Sequence, residues 1–352
     1  MHLPPRGGAS IFPAALFWLG DMMRTIPAIL ALGLSLVTLS MIGIGCSSGK
    51  SSGNPKAVDA YIQGLDAYRR GDNVQAIAEL ERASKLNPDL RMPHSTLGDI
   101  YLSEGKYEQA EKQYKDMVRL DPYSANNHYR LGLTYQLMNK LQDAAATYLR
   151  ALQLDPRDPK SNMNLGLVYL ALNQEDDAMK YLRRAAELAP NSAEAWSNYG
   201  AILDIKGKLS EAESAYKQSL ELDGTNNATI VNLGMNLLQQ DRPSEAISVF
   251  QQAIKNDPAS PVLHKRYGDA LMAAKQYDEA IVEYNTALAK NPRFTAALNE
   301  KASALVRKYQ KGLELDDELL RSALEAWRQI LPVLLGQQLR RRRLRDRLRG
   351  RG

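Results

Sequence analysis

Between Ala57 and Phe294 this chain repeats itself every 34 residues, seven times, with no insertion or deletion. A fixed period of that length confines the fold to stacked copies of one small unit, since such a unit cannot bury its apolar face alone. Three columns run through the copies. Glycine holds the eighth position of each, at Gly64, Gly98, Gly132, Gly166, Gly200, Gly234 and Gly268. Alanine holds the twentieth, at Ala76, Ala110, Ala144, Ala178, Ala212, Ala246 and Ala280. The thirty-second is Pro88, Pro122, Pro156, Pro190, Pro258 and Pro292, with Gly224 in the remaining copy.

Gly and Ala in the middle of two successive helices remove bulk where those helices cross, so their backbones approach closely. Proline after the second helix cannot donate the next backbone hydrogen bond and clashes with the preceding turn, so one hairpin stops before the next begins. Apolar residues between these punctuators recur at helical spacing, as at Leu131, Tyr135, Tyr148 and Ala151. The chain holds 4 Phe and 3 Trp against 17 Tyr, with abundant Ala and Leu, which suits closely packed helices better than a sheet-rich core. The unit is a helical hairpin.

The pattern resembles the tetratricopeptide repeat family. That resemblance implies an all-α fold, a right-handed superhelical solenoid of seven hairpins over residues 57–294 with a concave inner groove. Gly224 departs from the proline column and is expected to soften the joint between the fifth and sixth units. Past Phe294 the phase continues through Leu298, Ala302 and Leu305, although Lys301 takes an apolar site; Asp316 and Asp317 then cap a helix with Leu320, Leu324, Trp327 and Leu331 at helical spacing. Residues 295–335 therefore read as a degenerate eighth unit or C-terminal capping helices, covering an apolar face that the last repeat otherwise exposes.

The N-terminus reads as an address. Ile26 to Gly45 carry no charge, Arg24 precedes them, and the chain's one cysteine, Cys46, follows at once. Such a run is a membrane span or a signal-peptide core. Its junction resembles a bacterial lipobox, whose cysteine is acylated after the preceding peptide is removed; Gly43 stands where that family usually has Leu. Residues 1–45 then form the signal peptide, with Met22 or Met23 as the expected start, and residues 46–56 the acylated cysteine and a Ser/Gly linker. An uncleaved anchor is the alternative. Either way the body is expected on a membrane in the cell envelope, facing the periplasm, with Ser47 leaning towards the outer membrane.

The net charge of +5 is the balance of +7 between Arg340 and Arg351, +1 in the first 45 residues and −3 between. A mildly acidic body does not suit a nucleic-acid-binding surface. Residues 336–352 form an Arg-rich tail, read as a solvated end or as a contact for anionic lipid, cell-wall polymer or acidic protein.

Catalysis has no place to sit. His94, His128 and His264 share the fourth position of their repeats, a mark of packing; no cysteine or histidine cluster has ligand spacing, and no phosphate loop or nucleophile elbow occurs. No enzyme activity, metal, cofactor or small-molecule substrate is expected. The family's geometry instead places positions two, five, six, nine and twelve of the first helix on the concave surface. At position six Asn164, Asn198 and Asn232 follow one another, and their amides can grip a peptide backbone irrespective of its sequence. This resembles the asparagine ladder in the repeat domain of the nucleocytoplasmic N-acetylglucosamine transferase; the alternative is that Asn tolerates a solvated helix face. Tyr129, Leu133, Met163, Leu167, Val231 and Met235, at positions five and nine, form an apolar floor. Lys265 shares its repeat with Asp269, so the family's clamp for a chaperone's C-terminal carboxylate is not expected.

These features describe a non-catalytic scaffold of the bacterial envelope, binding an extended segment of a partner protein. The layout resembles that of lipoproteins that guide assembly of type IV pili or secretion complexes, and of adaptors for peptidoglycan hydrolases. The alternative is the targeting or regulatory subunit of a glycosyltransferase or exopolysaccharide assembly, with catalysis in another chain.

Overall fold

The computed structural model describes residues 54–311 and, as isolated helical positions, residues 321–322, 324–325 and 328. The leader, Cys46, the rest of the capping segment beyond Lys311 and the Arg tail lie outside the described residues. All regular secondary structure among the described residues is helical. Two compact units divide between Ala189 and Pro190. The first holds α1 (Pro55–Arg69), α2 (Asn73–Leu86), α3 (Arg91–Ser103), α4 (Tyr107–Leu120), α5 (Ala125–Leu137), α6 (Leu141–Leu154), α7 (Pro159–Ala171) and α8 (Glu175–Leu188). The second holds α9 (Ala193–Ile205), α10 (Leu209–Leu222), α11 (Asn227–Gln239), α12 (Pro243–Asn256), α13 (Pro261–Ala273), α14 (Tyr277–Lys290) and α15 (Thr295–Lys311).

Helices pair in chain order, α1 with α2 through α13 with α14, and within each unit every second helix packs on the first helix of the next hairpin. α15 packs on α14 as the first helix of an eighth unit. Each periodic column has its structural duty. All seven alanines at position twenty are fully buried. Each glycine at position eight lies against the residue sixteen further on: a Cβ on Gly98 would sit 2.6 Å from the Tyr114 ring, one on Gly166 2.6 Å from Leu182, and one on Gly234 would run into the Phe250 ring. Helix crossings this close leave no room for a methyl group.

Two further columns set the turns. First helices begin on side-chain caps at position thirty-four of the preceding copy: Ser124, Asp158, Ser192, Asn226 and Ser260 each accept from a backbone N–H of the first turn. Between the helices of each hairpin, position fifteen takes positive φ, at Gly71, Gly105, Asn139, Asn173, Gly207, Asp241 and Lys275. Glycine and asparagine adopt this conformation readily; Lys275 at φ 62 does so against the interests of its Cβ.

The turn at Gly224 does not differ from its proline-bearing counterparts. Asn226 N–H donates to the Asp223 carbonyl as Ser124 does to Asp121 and Ser260 to Asp257, and the Asp223 carboxylate accepts from Thr225 N–H. The glycine thus holds the same turn without proline's stiffness.

Candidate functional site

Within each unit the first helices of neighbouring hairpins adjoin one another, α1 with α3, α5 with α7, α9 with α11, α11 with α13 and α13 with α15, whereas the second helices do not pack together comparably. The first helices therefore line an inner face and the second helices an outer one. Positions five, six, nine and twelve of the first helices lie on that inner face.

In the first unit, Asn164 on α7 donates from Nδ2 to the Tyr129 hydroxyl on α5 at 3.4 Å. The Tyr129 ring is tilted against that of Tyr148, with centroids 5.9 Å apart. Tyr129 and Leu133 lean on the core around Tyr148, Leu165 and Val168 and keep part of their surface open. Leu167 is buried and belongs to the packing more than to the floor, while Met163 stays partly open. Before the ladder, Arg130 joins Asp99 and Tyr114: its guanidinium donates to the Asp99 carboxylate, which also accepts from the Tyr114 hydroxyl at 2.6 Å.

In the second unit the amides stand differently. Asn198 on α9 and Asn232 on α11 are both partly buried, and the Asn198 Nδ2 is enclosed with no hydrogen-bond acceptor. A buried donor without an acceptor costs about 1–3 kcal/mol. Next to it on α9, the Ser197 hydroxyl accepts from Thr229 Oγ1 at 2.8 Å. Val231 leans on the core around Ile230, Ala253 and Leu263, and Met235 keeps part of its surface open. Lys265 Nζ donates to Asp269 at 2.7 Å, and Arg266 and the Tyr284 hydroxyl donate to the same carboxylate at 3.4 and 3.0 Å. This pairing occupies the lysine that a carboxylate clamp would need.

The three histidines of the repeats are structural. His94, His128 and His264 are each buried to within 8 % exposure, and each donates from Nε2 to the carbonyl of the proline six residues earlier, Pro88, Pro122 or Pro258, at 3.0–3.2 Å. Trp196 at the same position donates to Pro190. The column ties each first helix to the turn before it.

Two sets of residues escape a reading of the three columns. Position twenty-four, under each glycine, is Leu80, Tyr114, Tyr148, Leu182, Tyr216, Phe250 and Tyr284, all essentially buried. Their hydroxyls reach acceptors on the inner face: Asp99, Gln136, Asp204 and Asp269. Burial first, and then the neighbouring carboxylates, push the hydroxyls of Tyr114, Tyr216 and Tyr284 far above the ordinary phenol range. The second set clamps successive hairpins. Glu213 on α10 takes Lys217 from its own helix at 2.7 Å and Arg242 from the next hairpin at 2.5 Å. The Arg242 hydrogen bond, with help from Lys217 and Gln240, lowers the Glu213 carboxyl to about 2. Glu111 repeats this with Lys115 and Lys140, at the same repeat positions, in the first unit.

Comparison with known proteins fits this architecture. The model of a tetratricopeptide family, described as the cilia and flagella-associated protein 70 C-terminal domain, matches residues 67–308. No curated protein matches. Among solved structures, a tetratricopeptide repeat protein from Parabacteroides merdae aligns over 72 % of this chain and 100 % of its own, with a TM-score of 0.55 at 14 % identity. PilF from Pseudomonas aeruginosa aligns over 62 % and 98 %, with 0.52 at 23 % identity. The Cut9–Hcn1 hetero-tetramer of APC/C aligns over 71 % of this chain and 53 % of the matched one, with 0.53 at 17 % identity. Identities this low speak for the fold; the family model, spanning most of the repeat array, speaks for the kinship. The chain belongs to the tetratricopeptide repeat family that this C-terminal domain model describes.

Proposed function

We propose that this protein is a non-catalytic interaction scaffold that holds an extended segment of a partner protein against the inner faces of its hairpins. The observation that carries the reading is the row of asparagines Asn164, Asn198 and Asn232 at position six of successive first helices, each partly open. A side-chain amide both donates and accepts, so such a row can hold a partner's backbone at no demand on its side chains. Met163 and Met235, partly open beside the amides, offer adaptable apolar contact. Membership of a repeat family whose solved relatives include a hetero-tetrameric assembly is consistent with this role.

We further propose that the scaffold is tethered in the bacterial envelope through acylated Cys46, facing the periplasm. The support is the uncharged run before the chain's one cysteine and the Ser/Gly linker after it. Assistance to a pilus, secretion or other envelope complex is the role that the likeness of layout to such lipoproteins supports.

The test is crosslinking capture from membranes, comparing the natural protein with an Asn164→Ala, Asn198→Ala, Asn232→Ala variant of unchanged helicity. The expected result is one protein captured by the natural chain and lost from the variant. An unchanged captured set removes the inner face from the function.

A further inference from the structure

The exposed apolar side chains of the first unit gather on one side of its first helix. Val58, Ile62, Leu65 and Tyr68 follow one another on α1 at spacings of four, three and three residues, so they share one stripe of the inner face. Val58, Ile62 and Tyr68 are 40 %, 50 % and 39 % exposed, and Met92, at position two of the adjoining α3, is 52 % exposed. Among the other described residues of the unit, the exposed large apolar side chains are Val74 and Leu86, at opposite ends of α2, and Tyr123 in a turn. A patch confined to the inner face marks a binding surface more than scattered residues do.

This stripe is not a stacking surface left over at the end of the array. Later first helices of the unit pack on the preceding hairpin through positions three and ten, which are buried at Pro93 and Ile100, Asn127 and Thr134, and Ser161 and Val168. Asn127, for one, donates to the Met117 carbonyl of α4 at 3.1 Å. On α1 the same positions are Asp59 and Asp66, both exposed, with exposed Gln63 between them. The array thus ends in the polar cap that a solenoid needs, and the apolar stripe lies roughly a third of a turn away from it.

The stripe offers no counter-charge either. Asp99, the carboxylate at position nine of α3, is taken by Arg130 and by the Tyr114 hydroxyl, and Arg69 at the C-terminal end of the stripe is held by Asp66 at 3.7 Å. A charged side chain pressed onto this surface leaves water without finding a partner, whereas an apolar one gains by its burial. Beyond Met92 on α3, Ser95 and Thr96 keep part of their surface open. The Thr96 hydroxyl donates its proton to the Met92 carbonyl at 3.1 Å, which leaves its oxygen to accept. An apolar strip beside an acceptor suits the side chains and the N–H groups of an extended polypeptide. From Val58 to Tyr68 the stripe is about 15 Å long, and three alternate side chains of an extended strand span about 14 Å.

We propose that the segment held by the first unit is apolar, and uncharged over the two or three alternate side chains that lie on Val58, Ile62 and Leu65. This rests on the scaffold reading above and adds the chemistry of the partner to it.

The test uses the full-length chain and short labelled peptides of alternating Ser-Leu, Ser-Lys and Ser-Glu, read by fluorescence anisotropy. The Ser-Leu peptide is expected to bind about tenfold or more tighter than the other two, an advantage lost in Ile62→Ser. Ile62→Lys puts a cation on the stripe and is expected to turn the preference towards Ser-Glu, a gain that loss of fold does not produce. Val74→Ser removes a side chain 83 % exposed on α2 and is expected to change nothing. An equal loss from Val74→Ser means that apolar surface anywhere attracts the peptide, and overturns the site. So does equal or tighter binding of either charged peptide to the natural chain, or a preference for Ser-Leu that survives Ile62→Lys. Binding of Ser-Leu only after deletion of residues 1–45 makes the chain's own uncharged run the occupant and overturns an external one. Attachment of the chain without residues 1–46 to phosphatidylcholine vesicles, lost in Ile62→Ser, makes a lipid surface the occupant and overturns the peptide. A partner captured from membranes whose segment on α1 is charged overturns the apolar segment and leaves the scaffold standing; failure to capture any partner removes the scaffold itself.

Discussion

Replacing Gly224 by proline tests the repeat logic at the one place where the chain departs from it. Asp223, Gly224, Thr225 and Asn226 form a turn closed by Asn226 N–H on the Asp223 carbonyl at 3.3 Å, with Gly224 at the second position, where proline is favoured. Three conditions for a tolerated proline are met. The Gly224 N–H donates no turn or cap hydrogen bond. Asp223 has φ −142° and ψ 88°, close to the −147° and 84° of Asp121 and the −137° and 78° of Asp257, which precede prolines in their own repeats. A Cβ at Gly224 meets nothing nearer than the Leu220 carbonyl oxygen at 3.4 Å. The folded state therefore loses nothing, while the unfolded chain loses the freedom of a glycine. The expected gain is about 0.4–1 kcal/mol, or roughly 1–4 °C in midpoint for a cooperative unit of this size. Because stability in a repeat array is shared between neighbours, the gain belongs to the unit containing α10 and α11. Thermal unfolding and urea titration, both followed by circular dichroism, with Gly234→Ala as a control expected to lose stability against the Phe250 ring, provide the readout. A fall in the Gly224→Pro midpoint refutes the equivalence of this turn with its proline-bearing counterparts.

Lys275→Gly relieves a side chain held at φ 62 and is expected to stabilise by about 1 kcal/mol, checked by the same titration. Glu213→Gln leaves Arg242 and Lys217 without their shared carboxylate and is expected to cost about 1–3 kcal/mol near neutral pH. Since the Glu213 carboxyl is lowered from 4.5 to about 2 in the folded protein, its contribution is complete above the unfolded value and disappears as pH falls through the folded one; the midpoints of natural and variant protein should converge over that interval. Cys46→Ser is expected to abolish labelling by palmitate in bacterial cells and to release the protein from the membrane fraction, whereas retention without label points to an uncleaved span.

Periodicity made the fold legible because each column answers a constraint that recurs every 34 residues. The glycine and alanine columns mark helix crossings, and the crossings are where they were expected. The asparagine row was equally visible. What each asparagine does was not, because a partner one repeat away decides it. Asn164 finds the Tyr129 hydroxyl, whereas Ser197, one residue before Asn198, already accepts from Thr229. Leu167 shares a column with Met235, yet local packing buries the first and leaves the second partly open. Gly224 shows the converse: a break in the sequence pattern that the backbone hydrogen bonds do not register.

The inner face also inherits its pattern from the core beneath it. Where position twenty-four is tyrosine, one residue at position nine or twelve is its acceptor: Asp99, Gln136, Asp204 or Asp269. Where it is Leu80, Leu182 or Phe250, position nine is Leu65, Leu167 or Met235 instead. The reason is that a phenol threaded through a closely packed crossing must end on an acceptor, since a buried hydroxyl without one costs about 1–3 kcal/mol. The core choice in each hairpin thus decides whether position nine or twelve above it must carry an acceptor, while the other of the two stays free, as at Leu133 and Ala201. Only then is the carboxylate free to be answered from elsewhere, as Asp99 is by Arg130 and Asp269 by Lys265 and Arg266. Asp204 is the member of this set that no described cation answers, and it shares α9 with Glu194 and the acceptor-free amide of Asn198. Selection on packing accounts for a tyrosine and its acceptor, and the first turn of α9 accounts for Glu194, since a carboxylate there favours the helix N-terminus.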